Sequence, residues 1–255
     1  MSHLPFPNFT RAFTIAMVGA AAFGTSLTQA MVPLVVIDPG HGGKDGGAYH
    51  GGVKEKTVNL QLAIALEYHL HNLGIDTALT RDRDIFIELA DRARYAGKFT
   101  GPKIFVSLHY NAHERAGAKG IETLYRSPKS RSLAQYIQSA LVQQTRATDR
   151  GIKVRTDLRV LRSNSAPVSV LVEGGFLSNP QERLRIADPR YRDLQAAVIA
   201  SAIAHYMGRS TRPVSRWASA SGGTSAMPMQ ITTMATRQRP AAVRQRLSYK
   251  RLLAR

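Results

Sequence analysis

The stretch 34–48, "LVVIDPGHGGKDGGA", decides the fold. It opens on four apolar residues without alternation and closes in a glycine-rich turn that carries His41. A short, continuous apolar run bounded by turn residues reads as a strand buried on both faces, the kind that builds parallel sheets. Two runs of the same type follow, "IFVSL" at 104–108 and "VSVLV" at 168–172. Weaker strands are expected at 76–79 and 121–125, and another near 159–161. Helical patterns lie between them. In "TVNLQLAIALEYHLHNLG", Val58, Leu62, Leu66, Leu70 and Leu73 share one stripe, and Gly74 stands at the stop position. "SLAQYIQSALVQQ" places Leu133, Ile137, Ala140 and Leu141 together. "DPRYRDLQAAVIASAIAHYMG" opens with Asp188 as N-cap and Pro189 at the first helical position. Strands alternating with helices predict an α/β fold: an open, twisted, mostly parallel sheet flanked by helices on both faces, in a single domain.

His41 then acquires a meaning. The first strand runs into His41, the second into His109 and the third into Glu173. Parallel strands deliver their C-terminal ends to one edge of such a sheet, where ligands bind. Three residues able to hold a metal or a proton therefore pool in one place. Glu55, at the start of the first long helix, is a fourth candidate. Two histidines and a glutamate around an open position are the ligand set of several catalytic zinc enzymes. The separations of 14 and 54 residues (41 to 55, 55 to 109) are far from the compact H-E-x-x-H pattern, so strand ends rather than spacing carry this reading. Gly40, Gly42 and Gly43 are expected to permit a tight turn and a low wall beside the imidazole. A phosphate loop is the rival reading, but "GHGGKDGG" lacks G-x-x-x-x-G-K-[ST]. Asp38 and Asn111 are candidates to orient an imidazole or the substrate, against a plainer reading as local turn hydrogen bonds. His69, His71 and His205 fall within helical patterns, where packing or surface roles are commoner; His50 and His113 lie near the site in sequence.

The rest of the chain bounds the setting. There is no cysteine, which excludes disulfides and thiolate metal sites. Residues 208–255 hold nine Arg, one Lys and no acid; subtracting these ten from the net charge of +18 leaves +8 for residues 1–207. Such a balance suits an anionic partner. The tail, rich in Ser, Thr, Gly, Pro and Arg, is expected to be disordered and to touch an anionic surface. Residues 1–30 read as a secretory signal peptide: Arg11, an apolar stretch at 12–23, and Thr28-Gln29-Ala30 as a small-x-small cleavage pattern. That stretch is too short to span a bilayer core of ~30 Å. The expected organisation is signal 1–30, catalytic domain 31–207 and basic tail 208–255, exported to the periplasm or the cell exterior, with no transmembrane segment once the signal is removed.

At these residues the sequence resembles the zinc-dependent N-acetylmuramoyl-L-alanine amidases of bacterial cell walls. The segments that carry the resemblance are "IDPGHGGKDGGA", "KEKTVNLQLAIAL", "LTRDRD", "LADRARYAG", "FVSLHYNA", "GIETLY", "RGIKV", "VLRSNSAPVSVLVEGGFLSNPQE" and the final helix, in order over roughly 33–207. The resemblance implies a zinc ion held by His41, Glu55 and His109, with Glu173 as the catalytic acid–base. It implies peptidoglycan as substrate, not nucleic acid. Zinc-activated water would cleave the amide between the lactyl group of N-acetylmuramic acid and the L-alanine of the stem peptide. Tyr110 departs from the family, where small residues are usual, and is expected to reshape the cleft wall. Some members carry an additional helix that plugs the site; here "PKSRSLAQYIQSAL" follows "GIETLYRS" directly, which implies a constitutively open enzyme. Two alternatives stay open: another zinc peptidase acting within the stem peptide, and a non-catalytic wall-binding module. Loss of a ligand would mark the latter, and all four residues are present.

Overall fold

The computed structural model describes residues 34–162 and 164–209. The signal peptide expected at 1–30 lies outside the described residues, as does the basic tail apart from Gly208 and Arg209.

Three strands form the middle of the sheet: β1 (Leu34–Pro39), β5 (Lys103–Asn111) and β8 (Val168–Phe176). Around them lie β4 (Thr77–Leu79), β6 (Ile121–Tyr125) and β7 (Asp149–Val154). The order is β4-β1-β5-β8-β6-β7. All neighbours are parallel except β6 and β8, which run antiparallel. β2 (Tyr49–His50) and β3 (Val53–Lys54) form a separate hairpin just after the glycine-rich turn.

The apolar runs are continuous because each strand feeds two cores. Val35, Ile37, Ile104, Val106, Leu108, Val170 and Val172 face a large core. Val36, Phe105 and Leu171 face a smaller one. The large core is covered by three 18-residue helices: α1 (Glu55–Asn72), α3 (Pro128–Thr145) and α6 (Pro189–Tyr206). On the other face, among the described residues, lie α2 (Leu89–Tyr95), a 3-10 turn at Ala96–Lys98 and α4 (Arg159–Arg162). α5 (Pro180–Ala187) leads into α6.

Local signals act where the sequence places them. In α1 the stripe Val58, Leu62, Leu66 and Leu70 is buried, burying each side chain being worth about 1.5–3 kcal/mol. The helix closes with the N–H of Gly74 on His71 O and that of Ile75 on Leu70 O, the paired pattern of a glycine stop. Arg209 Nη1 donates to Leu73 O at 2.8 Å, placing a cation at the negative end of α1. Asp188 accepts from Arg190 N–H at 2.8 Å as the α6 cap, ahead of Pro189.

The expected strand near 159–161 is instead the short helix α4. Leu158 O accepts from both Leu161 and Arg162, and Val160 and Leu161 bury adjacent side chains in the smaller core. Three residues are too few for a period of two to be told from a helical turn. The edge strand β7 and helices α2 and α5 were not expected: each is short, and β7 is largely exposed.

Candidate metal centre and active site

The sheet brings its reactive residues to one edge. β1 ends at Pro39, and two residues later His41 takes a left-handed backbone, φ 59°. That conformation is uncommon for any residue but glycine, so the surroundings must hold it. Two buried arginines do so. Arg81 donates from Nε to Pro39 O (3.0 Å) and from Nη2 to Gly40 O (2.8 Å) and Lys56 O (2.8 Å). Arg92 donates from Nη1 to Pro39 O (2.7 Å) and from Nη2 to His41 O (2.5 Å). The loop thus lends its carbonyls to two fixed guanidinium groups, which leaves the His41 ring aimed the other way.

Glu55 opens α1 and His109 lies near the end of β5. His41 Nε2 is 3.1 Å from Glu55 Oε2, and His109 Nδ1 is 3.0 Å from Glu55 Oε1. The two imidazoles meet edge to face at 5.0 Å. One donor atom from each of these three residues lies within 4.8 Å of the others, the only such group among the described residues. The carboxylate is nearly covered, 6% exposed, while the rings of His41 and His109 keep 25% and 18%. The centre therefore opens to solvent on its imidazole side.

Two glycines make this approach sterically allowed. A Cβ on Gly40 would fall 2.1 Å from His109 Cε1. One on Gly47 would fall 2.6 Å from Glu55 Oε2 and 2.7 Å from the His41 ring. Gly42 and Gly43 serve a different purpose from the expected low wall. They pack under Ile85 and Phe86, and Gly43 N–H donates to Asp84 Oδ1 at 2.7 Å. Lys56 Nζ bridges Gly43 O and Asp84 Oδ2, both at 2.8 Å, so the wall on this side is built up and tied down.

The electrostatics favour positive charge at the centre. Burial lowers the His41 imidazole, but the hydrogen bond and charge of Glu55, then those of Asp45, overcome this and raise it to about 9. Burial also opposes charge on His109, and Glu55 again prevails and raises it. Burial would raise Glu55, yet the bonds from His109 and His41 hold it well below the usual carboxylate range. Two imidazoles around an ionised carboxylate form a donor set that favours positive charge. His41 Nδ1 lies 2.9 Å from Asp45 Oδ2, a partner that sets the orientation and tautomer of the ring.

Glu173 stands opposite His109 in the β5–β8 register. Its Oε2 is buried with no hydrogen-bond partner among the described residues. Burial pushes this carboxyl up to about 7; His109 opposes, and the charges of Glu55 and Glu122 add to the rise. A half-buried carboxyl with an idle, buried oxygen beside an open centre is equipped to take and return a proton near neutral pH.

Asp38 is neither an imidazole partner nor a local turn group. It is 1% exposed and accepts from Thr80 Oγ1 (2.6 Å), Arg92 Nη1 (3.0 Å) and Ser107 Oγ (2.8 Å), which ties Arg92 to the sheet. Asn111 does bond locally, its Oδ1 accepting from Ala112 N–H at 2.8 Å, while its Nδ2 donates to Glu122 Oε1 at 3.2 Å. Tyr110 does not reshape the cleft wall. Strand alternation turns it away from His109 into the large core, 1% exposed, with its hydroxyl on Gln195 Oε1 at 2.7 Å. His69 meets Asp193, His71 meets Thr77, and the ring of His205 packs on Tyr136, so all three lie outside the centre. His113 Nδ1 accepts from Arg115 N–H, a local bond, and His50 lies in the β2–β3 hairpin.

Sequence reasoning assigned no role to Arg81, Arg92 or Glu122. Hydropathy places arginines outside, so burial of Arg81 and Arg92, each 2% exposed, left no mark in the sequence. Glu122 left one: a lone acid within an apolar strand needs a partner.

Residues 35–205 match the family of N-acetylmuramoyl-L-alanine amidases. The protein YqiI of Bacillus subtilis is 34% identical over 201 residues, covering 76% of this chain and 96% of that one. The N-acetylmuramoyl-L-alanine amidase LytC of B. subtilis is 34% identical over 169 residues, covering 65% of this chain but only 34% of LytC. Among solved structures, an N-acetylmuramoyl-L-alanine amidase of Clostridium difficile 630 superposes with a TM-score of 0.66 at 37% identity, covering 69% of this chain and 97% of that one.

Proposed function

Because the chain belongs to the N-acetylmuramoyl-L-alanine amidase family, we propose that it is a peptidoglycan hydrolase. It cleaves the amide between the lactyl group of N-acetylmuramic acid and the L-alanine of the stem peptide. The observation that carries this reading is the meeting of His41, Glu55 and His109 within 4.8 Å, with the idle oxygen of Glu173 beside them. The three residues would hold a zinc ion. Their donor chemistry fits it: two imidazoles and one carboxylate leave a position open, as catalytic zinc requires. Bound there, zinc supplies a Lewis acid that polarises the scissile carbonyl and acidifies water.

The chain's own residues do the rest. Glu55 remains ionised and joins the two imidazoles. Asp45 orients His41 from behind. Glu173 Oε2 takes the proton of the attacking water and returns it to the nitrogen of L-alanine as that amine leaves. β6 connects to α3 through Arg126 and Ser127 alone, which leaves no inserted helix at that junction and supports an enzyme that acts without an activator.

The setting we propose is export, with residues 1–30 as the signal, 31–207 as the catalytic domain and 208–255 as a basic tail, and action at the periplasmic or outer face of the cell. No described helix is long and apolar enough to cross a membrane. Purified protein with zinc should digest sacculi unaided, and a chelator should stop it. Mass spectrometry of the products should show free stem peptides beginning with L-alanine. Cuts within the stem peptide would replace this reading with that of a peptidase, and intact sacculi would end it. Glu173→Gln should lower kcat by about 10²–10⁴ while zinc content stays at the parental level; a variant as active as the parent removes Glu173 from the proton path.

A further inference from the structure

Next to Glu173, on the adjacent strand, stands a second acid with an unbalanced escort. Glu122 of β6 is the direct cross-strand partner of Glu173. Directly opposed residues project on the same face of a sheet, so Glu122 continues the row that begins with His109. Its side chain is 9% exposed and its Oε2 receives two cations: Arg150 Nε at 3.0 Å and Lys153 Nζ, both from β7. Its other oxygen takes Asn111 Nδ2. One carboxylate facing two cations leaves a surplus positive charge at the rim. The neighbouring Asp149 turns its Oδ1 to Gln138 Nε2 (2.6 Å) and Gly151 N–H (2.8 Å), and the ion pairs of both cations run to Glu122.

The cations are both available and held in place. Arg150 is 35% exposed and Lys153 44%. The guanidinium of Arg150 lies over the Phe176 ring at 4.9 Å. Among the described residues its Nη2 makes no hydrogen bond, and Lys153 Nζ bonds only to Glu122, leaving two of its three N–H donors free. A fixed guanidinium edge beside an ammonium is suited to a carboxylate.

We infer that Arg150 and Lys153 form a subsite for a carboxylate of the stem peptide. This rests on the amidase reading. The bond to be cleaved separates an uncharged sugar–lactyl part from a peptide that ends in a carboxylate, so only the peptide side offers the anion. The subsite therefore fixes the direction of the substrate. The peptide lies across β8, β6 and β7, and the sugar lies toward the glycine-rich turn after β1. It also makes the enzyme selective for stems whose carboxyl groups are free over stems in which they are amidated.

The test uses the full-length, zinc-loaded protein and two synthetic N-acetylmuramoyl tripeptides, one with free carboxylates and one with the same groups as primary amides. The free acid should show a KM roughly tenfold lower, the size of a charge-assisted hydrogen bond. In Arg150→Gln/Lys153→Gln this preference should fall to near one, and Arg150→Lys/Lys153→Arg should retain most of it. Calorimetry with the metal-free protein adds an independent reading: the free tripeptide should bind more weakly to the double Gln variant. Equal KM for both substrates in the parent, or an unchanged preference in the double Gln variant, overturns the subsite while leaving the amidase intact. Cleavage of neither substrate by any form would instead overturn the amidase reading.

Discussion

At the scale of single residues, the centre depends on what is missing as much as on what is present. His109 sits where the side chain of residue 40 would otherwise be, with Cε1 2.1 Å from the place of a Cβ. Gly40→Ala must therefore push the imidazole away, by more than a flexible contact can absorb. Zinc affinity should fall by about 10–100-fold, the usual cost of disturbing a ligand's support, as measured by competition with a chromophoric chelator. Parental affinity in Gly40→Ala would show that the ring has another place to go. Arg92 acts through the backbone rather than the metal. It is the buried partner of Asp38 and the donor to Pro39 O and His41 O. Arg92→Met strands the Asp38 charge in the interior and should cost about 3–5 kcal/mol of stability, read from the denaturant midpoint. Pairing it with Asp38→Asn should recover part of that loss, because the uncompensated charge goes with it.

At the scale of elements, the site is open because the two faces of the sheet are clothed unequally. Three 18-residue helices cover one face, while α2 and α4 cover only part of the other. His109, Glu173 and Glu122 alternate with large-core residues in their strands and so project on the thinly covered side. α1 carries a different, testable strain. Glu67 is half-buried beside Thr77, and burial pushes its carboxyl up to about 7, the hydrogen bond from Thr77 opposing and the charge of Asp82 adding. The sign follows from proton binding. Between the ordinary carboxylate value of 4.5 and about 7 the folded chain holds a proton that the unfolded chain has lost. Its contribution to stability is thus complete below 4.5 and is lost as pH rises through 7. Glu67→Gln should be more stable than the parent by about 1–2 kcal/mol at pH 8, less than the full shift because one side meets solvent, and should show no gain at pH 4. Parallel stability–pH curves for the two proteins would contradict this.

At the scale of the whole molecule, charge is the distinctive property. Of the net +18, ten charges lie in 208–255. Attraction of such a tail to anionic wall polymer is long-range and screened by salt. Truncation is best made after Arg209, because that residue caps α1 through Leu73 O and Gly74 O. The protein ending at Arg209 should bind sacculi more weakly than the full chain at low salt and about equally at high salt, measured by co-sedimentation. Equal binding at low salt would remove the tail from substrate capture.

The sequence by itself determined the layered α/β arrangement, since runs such as 34–37, 104–108 and 168–172 have no other economical burial than the middle of a parallel sheet. It also determined which ends of those strands share an edge, and hence that His41, His109 and Glu173 lie along it, because parallel topology places like ends together. The place of Glu55 at the start of the first long helix made it a fourth candidate, and the family resemblance gave it the role of a ligand. Only the tertiary structure decided the rest. The buried Arg81 and Arg92, the packed wall over Gly42 and Gly43, the inward turn of Tyr110 and the convergence of Arg150 and Lys153 on Glu122 all join residues from separate elements. A local pattern records a residue's own preference for water or for a turn. It can show that a residue needs a partner, as at Glu122, but not which residue of another element supplies it, and the energy of a buried charge is set by that partner.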